Sequence, residues 1–84
     1  MIKLLVVDDN QDILELVDCI YSDHSEIETI MANSGKEAES ILKKSGDKID
    51  IILSDYEMPD GDGGYLYKLN EKYKKPFIFH SSSL

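Results

Sequence analysis

Within 84 residues the chain alternates four short apolar runs with three stretches of helical periodicity, and that alternation leaves few folds open. Ile2-Lys3-Leu4-Leu5-Val6-Val7 is almost continuously apolar, which suits a strand buried on both faces of a parallel sheet. From Gln11 to about His24, Ile13, Leu14, Val17, Ile20 and Tyr21 recur at helical spacing while Asp12, Glu15 and Asp18 face elsewhere. Cys19 lies inside this pattern, where a packing role is expected of it. Ile27 to Met31 alternates in part and reads as a second strand nearer an edge. Ser34 with Glu37 three residues later forms a capping box for a second helix. That helix buries Ala38, Ile41 and Leu42, runs to about Lys44 and ends at Gly46. Ile49 to Ser54 predicts a third strand arriving at Asp55, Gly63 to about Lys72 a third helix, and Pro76 to His80 a fourth strand.

The order β-α-β-α-β-α-β predicts right-handed crossovers and a doubly wound α/β fold, mainly parallel, with helices on both faces. Ligands of such sheets sit outside the carboxyl ends of the strands. Asp8, Asp9, Asp55 and Ser81 are placed at those ends.

Composition removes several classes of function. The chain has nine lysines, no arginine and a net charge of −8, which is the reverse of a nucleic-acid-binding face. No apolar run approaches the roughly 20 residues of a membrane helix, and the run Ile2–Val7 is too short for the apolar region of a leader. The single cysteine cannot form an intrachain disulfide, and the whole reads as a cytosolic domain with a modest core.

The chemistry is carried by carboxylates. Asp8 and Asp9 end the first strand and Asp55 the third, so neighbouring strands would bring all three into one small pocket. Like charges so close raise one another's pKa values, an arrangement that calls for a cation. Three hard oxygens, a backbone carbonyl and waters suit octahedral Mg²⁺. Alternatively Asp8 and Asp9 only cap the first helix and Asp55 starts a turn; spacing alone leaves both readings open.

Three linked segments carry a resemblance. Leu4-Leu5-Val6-Val7-Asp8-Asp9, the strand Asp50-Ile51-Ile52-Leu53-Ser54-Asp55, and the loop Tyr56-Glu57-Met58-Pro59-Asp60-Gly61-Asp62-Gly63 together resemble response-regulator receiver domains of two-component signalling. The last matches the family pattern D-x-x-M-P-x-x-D/N-G, and Pro76 to Ser82 is similar to the family's fourth strand. The resemblance implies a flavodoxin-like sheet of order 2-1-3-4, with Asp55 as acceptor of a phosphoryl group from a histidine kinase or phosphotransfer protein. It further implies that Asp8, Asp9, Asp55 and the Glu57 backbone carbonyl hold Mg²⁺, and that Ser81 hydrogen-bonds the phosphoryl group and moves with it. Met58, Pro59 and Gly63 would shape the loop and let the third helix begin close by. Ser81 has a plainer reading as a surface hydroxyl in a serine-rich tail. His80 is read as a partly exposed strand-end residue with no assigned role.

The family fold continues with a fifth strand, two further helices and a lysine at the end of that strand, whereas this sequence reaches only the end of the fourth. Lys74 and Lys75 precede the fourth strand, at the opposite end of the sheet from the acids. An incomplete receiver is therefore expected, with weakened phosphorylation and an open apolar edge at Phe77-Ile78-Phe79. A second copy covering that edge would make a homodimer. Two rival readings remain: a pseudo-receiver, serving as an interaction module with little or no phosphotransfer, and a small aspartyl phosphohydrolase. The latter generally shows D-x-D-x-T after its first strand, and Asp8-Asp9-Asn10-Gln11-Asp12 lacks that spacing. The chain reads as the substrate of a kinase, not as an enzyme.

Overall fold

The computed structural model describes residues 1–55 and 63–80. The elements are β1 (Ile2–Val7), α1 (Gln11–Tyr21), β2 (Ile27–Ala32), α2 (Gly35–Ser45), a 3₁₀ turn (Gly46–Lys48), β3 (Ile51–Asp55), α3 (Gly63–Tyr73) and β4 (Phe77–His80). The four strands form one sheet in the order β2-β1-β3-β4, every neighbouring pair parallel.

β1 is central, and its residues alternate between two cores. Leu5 and Val7 face α2 and α3, in a cluster with Ala32, Ala38, Leu42, Ile49, Ile52 and Leu66. Leu4 and Val6 face α1, where Leu14 is buried and Val17, Tyr21, Ile27, Ile51 and Leu53 pack around it. Burial on both faces is why β1 reads as an unbroken apolar run. The amide of Asp50 donates to the Lys3 carbonyl at 2.9 Å. Its carboxylate accepts from the Lys3 amide at 2.8 Å, which fixes the β1–β3 register at the start of the strands.

α1 and α2 each start on a side-chain cap. Asn10 Oδ1 accepts from the Asp12 amide at 2.9 Å to open α1. Ser34 Oγ accepts from the Glu37 amide at 3.1 Å to open α2. The Glu37 carboxylate returns to the Asn33 amide at 2.7 Å, one residue earlier than the usual capping box.

The packing expected of Cys19 and Ile20 is corrected. Cys19 is exposed, because it lies five residues beyond Leu14, roughly 140° round the helix from the buried seam. Ile20 falls off the same seam and is also exposed. α2 does end at Gly46 as expected, but without a left-handed cap: its φ is −57°, and the chain tightens there into the 3₁₀ turn. What glycine allows at that position is close packing, since a Cβ on Gly46 would lie 3.1 Å from two ring carbons of Tyr73.

Candidate functional site

The acidic pocket is built where three strands end side by side. β1 and β3 pair up to Val7 and Ser54, and β3 and β4 pair up to Asp55 and His80. One step beyond Val7, Asp8 therefore stands in the same row as Asp55 and His80. Paired residues of a parallel sheet project to the same face. Ligand atoms of these three side chains all lie within 4.8 Å of one another.

Asp8 is fully buried. Its amide extends the β1–β2 ladder to the Ala32 carbonyl at 3.0 Å, which holds the backbone in line. Asp8 Oδ1 accepts from the Asn10 amide at 2.9 Å. This turn sets both the α1 cap on Asn10 and the direction of the Asp8 carboxylate. Asp8 Oδ2 then points toward His80 Nε2, 3.6 Å away, and both atoms are buried without a hydrogen-bond partner. A separation of 3.6 Å is beyond a hydrogen bond.

The Asp8 carboxyl is held above the ordinary carboxylate range. Burial is the largest cause, the Asn10 amide opposes it, and the charges of Asp55 and Asp9 add to the rise while His80 acts against it. Mutual repulsion among the acids, the cause anticipated from sequence, is thus secondary to desolvation. An oxygen that is buried, charge-bearing and without a donor is what a bound cation would satisfy.

The sequence candidates fall in different places. Asp8 and Asp55 converge as expected, and Asp55 is itself buried, at 5% exposure. Asp9 is exposed and next to them, near enough for its charge to act on Asp8. Glu57, Met58, Pro59 and Ser81 lie outside the described residues. Gly63 opens α3, as the loop motif implied.

His80 is a partly exposed strand-end residue as expected, with its side chain 24% exposed, and it also closes the third side of the cluster, a position to which the sequence assigned no role. A strand-end residue is ambiguous in sequence because the face it takes depends on register. That register is tertiary: β4 pairs with β3 so that His80 falls in the Asp55 row.

Comparison with known proteins agrees with this fold. The family model described as "Response regulator receiver domain" matches residues 4–83. The two-component response regulator ARR12 of Arabidopsis thaliana is 31% identical over 67 residues, which is 80% of this chain and 11% of that protein. The chain thus spans about a tenth of that relative's length. Among solved structures, a receiver domain protein from Clostridium thermocellum superposes with a TM-score of 0.86 at 25% identity, covering 94% of this chain and 64% of its own. The chemotaxis protein CheY4 of Vibrio cholerae gives a TM-score of 0.83 at 30% identity, covering 99% and 72%. With the family pattern matched along nearly the whole sequence and the fold shared with solved receivers, this chain belongs to the response-regulator receiver-domain family.

Proposed function

We propose that this chain is a phosphoacceptor module of a two-component relay, modified at Asp55 and working with Mg²⁺ held by Asp8, Asp9, Asp55 and the Glu57 backbone carbonyl. The observation that carries the reading is the buried Asp8 carboxylate, whose Oδ2 has no hydrogen-bond donor and faces the Asp55 cluster. Folding a chain around such a group is costly unless a cation is part of the design.

Asp55 lies at the end of β3 with its main chain fixed by pairing to β4. In the transfer, an Asp55 carboxylate oxygen bonds to phosphorus while the bond from phosphorus to the donor imidazole nitrogen breaks, and the freed imidazole takes up a proton. A carboxylate is a poor nucleophile toward an anionic phosphorus. Bound Mg²⁺ supplies positive charge against the phosphoryl oxygens. Asp8, anchored through Oδ1 by the Asn10 amide, contributes a fixed direction and needs no rearrangement. Ser81 would donate a hydrogen bond to the transferred group and carry its state onward. The partners of this reading are a histidine kinase or phosphotransfer protein, together with a second copy of the chain along the outer edge of β4.

Intact mass after incubation with a small phosphodonor, with and without Mg²⁺, tests it. A gain of one phosphoryl group that needs Mg²⁺ and vanishes in Asp55→Asn is the expected result. Absence of any gain, with Mg²⁺ still bound, would replace the reading with that of a pseudo-receiver interaction module.

A further inference from the structure

The Mg²⁺ reading uses oxygen donors alone, yet the described cluster contains an imidazole. His80 Nε2 is buried, has no hydrogen-bond partner and lies 3.6 Å from Asp8 Oδ2. That distance is too long for a hydrogen bond and close to what two ligands of one ion span. Bonds of about 2.0–2.1 Å at a tetrahedral angle put ligand atoms roughly 3.3 Å apart. Asp55 supplies a third ligand atom within 4.8 Å of both. We propose that His80 adds an imidazole ligand to the Asp8–Asp55 pair, so that the pocket serving Mg²⁺ also takes a first-row transition ion, Co²⁺ or Zn²⁺. This rests on the same pocket as the phosphoacceptor reading and deepens it by naming the class of ion.

Three features of the site support the assignment. Imidazole nitrogen binds Zn²⁺ and its neighbours well, whereas Mg²⁺ prefers oxygen and gives up its waters reluctantly. The three side chains come from three different strands fixed by sheet pairing, so the donors are organised before an ion arrives. A buried carboxylate oxygen and a buried ring nitrogen left facing each other are otherwise a double penalty, which one ion between them removes.

The chain offers an internal control. It has two histidines, and His24 is half-exposed, beside Glu26 in the connection between α1 and β2. Cys19 is exposed and would compete for soft ions, so the measurement uses the full chain carrying Cys19→Ser. Co²⁺ binding is followed by the visible absorption of the ion, and binding of diamagnetic Zn²⁺ by the imidazole nitrogen resonances of both histidines in NMR, each in the presence of excess Mg²⁺. Saturable binding that perturbs the His80 ring and leaves His24 unchanged is expected. Partners that only orient a ligand are worth about 10–100-fold in metal affinity, so His80→Leu should weaken Co²⁺ binding by at least tenfold. Its Mg²⁺ affinity should change little.

An unperturbed His80 ring at Zn²⁺ saturation overturns the proposal, and so does a His80→Leu chain that binds Co²⁺ as tightly as the parent. The phosphodonor assay separates this from the reading beneath it. Phosphoryl gain at Asp55 with Mg²⁺, alongside a silent His80 ring, sinks the imidazole site and leaves the phosphoacceptor standing. A perturbed His80 ring with no phosphoryl gain under any ion supports the site and removes the phosphoacceptor.

Discussion

The side chain of Asn70 and the backbone of Lys75 form a reciprocal pair of hydrogen bonds across the turn from α3 to β4. Asn70 Nδ2 donates to the Lys75 carbonyl at 2.7 Å, and the Lys75 amide donates to Asn70 Oδ1 at 3.1 Å. Asn70 is 93% buried, so neither half of its amide has water as a ready substitute. The clamp fixes where β4 begins, and the position of His80 follows from that start. Asn70→Ala removes both bonds and should cost about 1–3 kcal/mol. Asn70→Asp keeps the acceptor and loses the donor, so it should fall between Ala and the parent. Urea unfolding followed by circular dichroism measures both. A parent-like midpoint for Asn70→Ala would show the clamp to be incidental.

Lys74, inside the same turn, adopts a left-handed backbone with φ of 56°. Its amide still reaches the Asn70 carbonyl at 2.6 Å, closing the helix end. A side chain in that region costs on the order of 1–2 kcal/mol, and glycine relieves it. Glycine also widens the unfolded ensemble, which takes back about 0.4–1 kcal/mol. Lys74→Gly should therefore stabilise the chain by roughly 0.5 kcal/mol, a rise of about 2–4 °C in Tm for a domain this size. The charge lost is at the surface, so the gain should persist at high salt.

The sheet was legible because its signals are local and redundant. The double-faced burial of β1 is visible in Leu4-Leu5-Val6-Val7, and the α2 start in Ser34 and Glu37. The pairing of Asp8 with Asp55 followed once strand ends were counted and the family pattern supplied the strand order. Three features were not legible, each because it depends on tertiary register. Cys19 and Ile20 belong to the helical repeat in sequence, but the sheet admits only the seam of Leu14, Val17 and Tyr21. Gly46 is needed because Tyr73, on another helix, comes to its surface. His80 faces the acids because β4 pairs residue for residue with β3.

β4 is paired to β3 on one side and has no strand on its other side among the described residues. Ile78 is 55% exposed and Phe79 40%. Phe77, Phe79 and Tyr67 form an aromatic group with ring centroids 4.9–5.6 Å apart. An apolar edge of this kind templates pairing with another strand. We expect the 84-residue chain to self-associate at micromolar concentration, by sedimentation velocity or light scattering. Ile78→Lys places a charge on that edge without touching the Asp8–His80 row, and should shift the population to monomer. A monodisperse parent monomer would remove the homodimer from the account.

Asp8 gives a prediction in which stability and function run in opposite directions. Burial and the neighbouring charges of Asp55 and Asp9 disfavour its ionised form in the folded state. Replacing the charge with a neutral group of the same shape removes that penalty. In Asp8→Asn the amide oxygen retains the Asn10 bond now made by Oδ1, and the new amide nitrogen can donate toward Asp55. Without divalent ions Asp8→Asn should therefore be more stable than the parent by about 1 kcal/mol, or 4–8 °C in Tm. Divalent ions should reverse the order. An ion binding only the folded parent adds about 2.7 kcal/mol at a hundredfold excess over its Kd. The variant, lacking a principal carboxylate, should gain little. Thermal melts of both chains with and without Mg²⁺ or Co²⁺ test this in one experiment. Equal stabilisation of parent and variant by the ion would show that the cation binds elsewhere, and that the buried Asp8 carboxylate serves only to direct the start of α1.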